Sequence, residues 1–155
     1  MIKYRKGNLL DVTEGIILHG CNAQGVMGSG VALAVKQKYP EAYYDYKLEY
    51  EQRQNRLYLG QIIWSTDLHN KPDLMLGNAI VQENYGRDKK RYVNYAALAT
   101  VFTAAISKAR CYSCTLNFPK IGAGLGGGDW NIIEQIINDC DPKDEVTKIC
   151  WEFKV

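Results

Sequence analysis

The sequence predicts an α/β fold: a three-layer α/β/α arrangement around a mixed, largely parallel central sheet. Two observations carry this expectation. Short apolar runs alternate along the chain with longer segments of helical period. Two of the runs end in glycine-rich stretches that lead directly into a helical pattern, the junction expected of a strand–loop–helix unit.

Each element has its own signal. "MIKY" opens as a first strand, and "GIILHG" (15–20) is a short apolar run with the look of a buried strand. "GVALAVKQKYP" (30–40) reads as a helix: Val31, Ala34, Val35 and Lys38 fall at helical spacing and Pro40 stands just beyond the end. Residues 41–52 continue as a second helix, in which Tyr43, Tyr46 and Tyr50 share a face and read as packing. "LGQIIWS" (59–65) and "DLMLGNAIVQ" (73–82) are strand candidates. The clearest helix is 93–109, with Tyr95, Leu98, Val101, Phe102, Ala105 and Ile106 on one stripe. A strand over 114–119, a helix over 129–139 and a closing strand over 146–153 complete the pattern.

The totals fit one domain over residues 1–155, with 46% hydrophobic and 23% charged residues. A net charge of +2 argues for neither a nucleic acid nor a membrane surface as partner. The basic run "GRDKKRY" (86–92) reads as a solvated loop, with a phosphate patch as the alternative. No stretch reaches the roughly 18 apolar residues of a membrane span. The start resembles a strand rather than a signal peptide, so a cytoplasmic protein is expected, and a monomer is expected alongside. The cysteines are Cys21, Cys111, Cys114, Cys140 and Cys150. The CxxC at 111–114 has no second ligand pair and His69 is isolated, so neither a metal nor a cofactor is expected.

The two glycine-rich stretches carry the functional signal. "ILHGCNAQGVMGSGVA" (17–32) joins a buried strand to a helix, and "NFPKIGAGLGGGDW" (117–130) repeats the arrangement with five glycines. Glycine lets a ligand approach backbone N–H groups, and a helix N-terminus adds unpaired donors and partial positive charge. Together they make an anion site, usually for phosphate. Neither stretch fits GxGxxG, and no Lys-Ser/Thr follows as in a P-loop. His19 reads equally as a packed histidine or as a proton shuttle at neutral pH. Asp129, before an apolar helical run, reads as an N-cap that could also sit near a ligand.

With these strings in view, the chain resembles the macrodomain family, whose fold binds ADP-ribose. "KGNLLDV", "HGCNAQGVMGSGVA" followed by "KYPEAY", "PKIGAGLGGGDW" and a short closing strand with an aromatic all match in order. The resemblance implies roles for particular residues. Gly7, Asn8 and Leu9 would lie by the adenine, with Asn8 where many members carry an aspartate. Gly20, Cys21, Asn22, Met27, Gly28, Ser29, Gly30, Val31 and Ala32 would surround the distal ribose and phosphates. Pro119, Ile121, Gly122, Ala123, Gly124, Leu125, Gly126 and Gly127 would form the diphosphate loop, and Trp151 and Phe153 would pack near the adenine.

The branch most similar to this chain contains ADP-ribose 1″-phosphate phosphatases, in which a histidine matching His19 is implicated in catalysis. Glycohydrolase relatives add a lysine, whose position falls near Val81 or Gln82 here, and an aspartate, whose position falls on Gly126. Both departures count against lysine-based glycohydrolysis. The resemblance therefore implies a metal-independent phosphatase acting on ADP-ribose 1″-phosphate, with His19 as base or nucleophile and Asp129 as its helper. The alternatives are an ADP-ribosyl hydrolase acting on modified protein or nucleic acid, and a non-catalytic ADP-ribose-binding module.

Overall fold

The structure is a computed structural model that describes residues 1–88 and 90–153; Lys89, within the basic run, lies outside the described residues. In chain order the elements are β1 (Lys3–Lys6), β2 (Gly15–Asn22), α1 (Gly30–Lys38), α2 (Pro40–Gln52), β3 (Ile62–Ser65) and β4 (Leu74–Gln82). They continue with α3 (Tyr95–Tyr112), β5 (Leu116–Phe118), α4 (Trp130–Cys140) and β6 (Lys148–Glu152). A 3-10 turn at Leu9–Asp11, absent from the sequence expectation, is capped by the Asn8 side chain, which accepts from the Leu10 N–H.

The six strands form one sheet in the order β1-β6-β5-β2-β4-β3. Every pairing is parallel except β3 with β4, which makes the sheet mixed and largely parallel as expected. Strand β2 is apolar on consecutive positions because both its faces are covered. Ile16 and Leu18 join the core under α3 and α4, whereas Ile17 packs with Val35, Tyr39 and Ala42 under α1 and α2. The predicted stripe of α3 is the buried one: Leu98, Val101, Phe102, Ala105 and Ile106 are all in the core. Removing Leu98 down to alanine there would cost about 2–5 kcal/mol.

Some boundaries differ from the sequence expectation. Helix α3 runs on to Tyr112 and takes in Cys111, ending where Ser113 adopts a left-handed conformation and its N–H returns to the carbonyls of Ala109 and Arg110. Strand β3 starts only at Ile62, since Gly60 turns the chain at φ +92°. Among the described residues no group of three His, Cys, Asp or Glu side chains gathers as metal ligands, and no helix is long and apolar enough to cross a membrane.

Candidate functional site

The chain leaves β2 toward β4 and β3 on one side and later returns to β5 on the other, so β2 and β5 flank a topological switch point. Their following helices pack on opposite faces, α1 in one core and α4 in the other. The two glycine loops therefore part, and a crevice opens at the carboxyl ends of the strands, where open α/β sheets bind ligands. A cavity of about 460 Å³ fills this crevice.

Its first wall is the β2–α1 junction: Gly20, Cys21, Asn22, Gly28, Ser29, Gly30, Val31 and Ala32 all line it. Ser29 is the N-cap residue of α1, yet its side chain makes no capping hydrogen bond. The first intrahelical bond runs from Leu33 N–H to Ser29 O, which leaves the N–H groups of Gly30, Val31 and Ala32 without helical acceptors. Gly30 has φ +60° and a Cβ there would meet nothing within 4 Å, so the backbone itself faces the cavity.

The second wall is the β5–α4 junction, with Pro119, Ile121, Gly122, Gly124, Leu125 and Gly126. This loop folds on itself: Gly128 N–H donates to Gly122 O and Gly127 N–H to Gly124 O. Gly122, at φ +80°, could carry no Cβ, which would fall 2.6 Å from Val93.

A third wall comes from the end of β4 and the segment after it. Val81, Gln82, Tyr85, Gly86 and Arg87 line the cavity, as do Val26 and Lys120. None of these seven is named as a ligand-binding residue from the sequence, although Val81 and Gln82 mark where a glycohydrolase lysine would fall. Gly86 and Arg87 belong to the basic run read as a solvated loop. What brings that segment in is non-local: the N–H groups of Tyr92 and Val93 both donate to Gly126 O on the second glycine loop. Arg87 and Lys120 are the charged side chains lining the cavity, and no carboxylate lines it among the described residues. Lys120 pairs with Glu152 at 3.4 Å, which ties this wall to the end of β6.

The residues expected near the adenine do not line this cavity. Leu9 is fully buried, packed with Val35 and Tyr39, and Asn8 spends its side-chain oxygen on the Leu10 N–H. Gly7 packs against the Trp151 ring, and Trp151 donates its indole N–H to Asn117. Phe153 is exposed just beyond Glu152. Met27, Ala123 and Gly127 also stand back from the cavity, Met27 because its side chain is buried with Tyr46 and Ile80.

His19 lies behind the cavity wall rather than on it. Alternation along β2 puts it on the same face as Ile17 and Cys21, under α2, and it is completely buried and absent from the cavity lining. Its Nε2 lies 2.7 Å from Asn78 Oδ1. Asn78 donates its amide hydrogens to the carbonyls of Ile63 and Ala42, which turns its oxygen toward His19 and puts the proton on Nε2. Burial pushes the imidazole pKa down to about 4, against a smaller upward effect of the Asn78 hydrogen bond, so His19 is neutral at pH 7. Cys21, beside it, reaches the cavity, but burial pushes its thiol pKa up and away from thiolate reactivity.

Asp129 is likewise outside the cavity lining. It is exposed at the N-cap of α4, where its carboxylate accepts the Asn131 N–H at 2.9 Å. Its own N–H donates to the Tyr95 hydroxyl. His19 and Asp129 are therefore not brought together at the crevice.

Comparison with known proteins gives the same outline. The chain is 30% identical, over 98% of its length and 97% of the relative's, to an uncharacterized 17.5 kDa protein from the tk-vs intergenic region of Enterobacteria phage T4. It is 24% identical to the ADP-ribose 1″-phosphate phosphatase of Candida albicans, over 91% of this chain and 94% of that one. A DNA ADP-ribosyl glycohydrolase of Mycobacterium tuberculosis is 26% identical across 87% of this chain, which spans only 37% of that protein. Among solved structures, a protein of unknown function from Bacteroides thetaiotaomicron superposes with a TM-score of 0.84 at 26% identity, covering 99% of this chain and 98% of the other. The macrodomain of Mycobacterium tuberculosis DarG superposes with a TM-score of 0.80 at 23% identity, covering 97% of each chain. The Macro domain pattern matches residues 18–137, from the middle of β2 to the last turns of α4. With that match spanning both glycine loops and the sheet between them, the chain belongs to the Macro domain family.

Proposed function

We propose that the crevice binds ADP-ribose and that the chain hydrolyses ADP-ribose 1″-phosphate to ADP-ribose and inorganic phosphate. One observation carries the choice: the charged side chains lining the cavity are Arg87 and Lys120, both cationic, alongside the free N–H groups at the start of α1. Such a lining matches a ligand rich in phosphate. It also suits phosphoryl transfer, whose loose transition state spreads negative charge over the equatorial oxygens and asks for positioning and positive potential more than for a strong base. Glycosidic cleavage instead builds an oxocarbenium-like cation and ordinarily calls on a pair of carboxylates. The yeast relative named as a phosphatase on this substrate supports the same choice.

In this reading the Gly30, Val31 and Ala32 N–H groups and the Ser29 hydroxyl hold phosphate oxygens. Arg87 neutralises the charge that gathers as water attacks phosphorus in line and the bond to the C1″ oxygen breaks, the proton that the water sheds ending on the released C1″ oxygen. His19 serves as part of the buried floor beneath the loop. A second reading, release of ADP-ribose from modified DNA or protein, draws support from the relative named as a DNA ADP-ribosyl glycohydrolase. A side-by-side assay separates them. Phosphate release from ADP-ribose 1″-phosphate, without release of ADP-ribose from modified DNA or protein, is the expected result. The reverse pattern would overturn the phosphatase reading, and tight ADP-ribose binding without either activity would make the chain a binder.

A further inference from the structure

We infer that Tyr46, on α2 and outside the cavity lining, is a positioning residue whose hydroxyl fixes the shape of the first glycine loop. As far as the ligand is ADP-ribose, this rests on the binding reading above. Tyr46 is completely buried, its ring packed with Cys21, Met27 and Ile80. Its oxygen accepts two backbone N–H groups of the loop, Gly25 at 3.1 Å and Val26 at 3.2 Å. Its own hydrogen goes back to Asn22, whose carbonyl oxygen lies at 2.7 Å and whose side-chain oxygen lies at 2.9 Å. One hydroxyl thus joins both ends of the turn that connects β2 to the loop.

The Asn22 side chain closes the same turn from within. Its amide donates to Val26 O at 2.8 Å and its oxygen accepts Gln24 N–H at 2.9 Å. Asn22 itself lines the cavity, and so do Val26 and the residues from Gly28 to Ala32. Tyr46 therefore acts on the ligand through the loop and never touches it. A chain with glycines at 25, 28 and 30 has many accessible conformations when free. Holding it in one of them before the ligand arrives removes an ordering cost that binding would otherwise meet. Without the hydroxyl, two N–H groups pointing into a buried site lose their acceptor and the loop must move to find another.

Tyr46→Phe tests this, because the ring and its packing stay while the oxygen goes. Amide hydrogen exchange at Gly25 and Val26 should quicken at least tenfold with the β2 and β4 amides unchanged. ADP-ribose affinity, measured by calorimetry on the folded variant, should fall roughly tenfold. For ADP-ribose 1″-phosphate the loss should appear mainly in KM. Tyr44→Phe, an exposed position on the same helix, should change none of these. Unchanged exchange at Gly25 and Val26 would overturn the inference. So would exchange quickened equally throughout the chain, or local quickening with wild-type affinity, since each is what a merely structural tyrosine would give. If the wild-type chain binds no ADP-ribose, the functional proposal fails, and the exchange comparison alone decides whether Tyr46 holds the loop.

Discussion

Replacing His19 by glutamine should flatten the acid limb of the stability curve while leaving turnover nearly intact. In the folded chain burial holds the His19 pKa near 4, below its ordinary 6.5. Between these values the unfolded chain takes up a proton that the folded chain refuses. Stability is therefore fully present above pH 6.5 and is lost as the pH falls from 6.5 toward 4. At about 1.36 kcal/mol per pH unit, that interval amounts to roughly 3 kcal/mol, a large share of the ~5–15 kcal/mol of a typical domain. Glutamine carries no titrating group and keeps an amide N–H that can reach Asn78 Oδ1.

The assay is urea unfolding of both proteins at stepped pH between about 7 and 4, with turnover measured at neutral pH. Taking the difference between the two curves cancels the carboxylates common to both. A variant whose stability falls as steeply as that of the wild type would mean that the titrating group lies elsewhere and that His19 is not buried neutral. Turnover lowered by roughly 10²-fold or more in a folded variant would restore His19 as an acid–base catalyst and refute its reading as part of the floor.

Other expectations follow from the same geometry. Gly124 lines the cavity and a Cβ there meets nothing within 4 Å, so Gly124→Val should keep the melting temperature and abolish ADP-ribose binding; retained affinity would mean the ligand does not cross this loop. Arg87→Gln should weaken ADP-ribose 1″-phosphate turnover roughly tenfold to a hundredfold, the worth of one charge-assisted contact, and wild-type kinetics would remove Arg87 from the phosphate site. Asp129→Asn should leave stability within a few tenths of a kcal/mol and turnover unchanged, since asparagine caps as well as aspartate; lost turnover at constant melting temperature would give Asp129 a chemical role. Lys148 and Asp141 form an ion pair in which both side chains are only 1% exposed, so Lys148→Ala should cost about 3–5 kcal/mol in urea unfolding and leave the affinity of the folded protein unchanged.

What the sequence revealed depended on how local each signal was. The stripe of α3 and the unbroken apolar run of β2 are written in neighbouring residues, and both elements formed where they were read, with ends shifted by two or three residues. The orientation of His19 was half legible. Period-2 alternation already puts it with Ile17 and Cys21, on a face that an α/β layer must cover. Its partner, Asn78, lies on another strand, and only the β2–β4 register brings the two together. Arg87 was harder still. A run of charges looks solvated in one dimension, and the bonds that hold its end against the second glycine loop, from Tyr92 and Val93 N–H to Gly126 O, are not local. Lys148 gave no sign of burial either, since the carboxylate that permits it, Asp141, belongs to the loop before β6.

The two glycine loops look equivalent in the sequence, yet they contribute different things. After β2, Ser29 leaves its capping role unfilled, and the first residues of α1 face the cavity with their N–H groups free. The helix dipole and its donors are thus available to an anion. After β5, the start of α4 is already satisfied: Asp129 caps it with a negative charge, and neither Gly127 nor Gly128 lines the cavity. A second anion there would meet the Asp129 carboxylate. The second loop offers instead a tight, self-bonded turn with Gly124 open on its inner side. One loop therefore supplies free backbone donors at a helix start, and the other supplies a turn with an open glycine flanked by the side chains of Lys120, Ile121 and Leu125. Free N–H groups thus stand at the α1 wall, and the charged side chains of the lining, Arg87 and Lys120, stand on the other two walls.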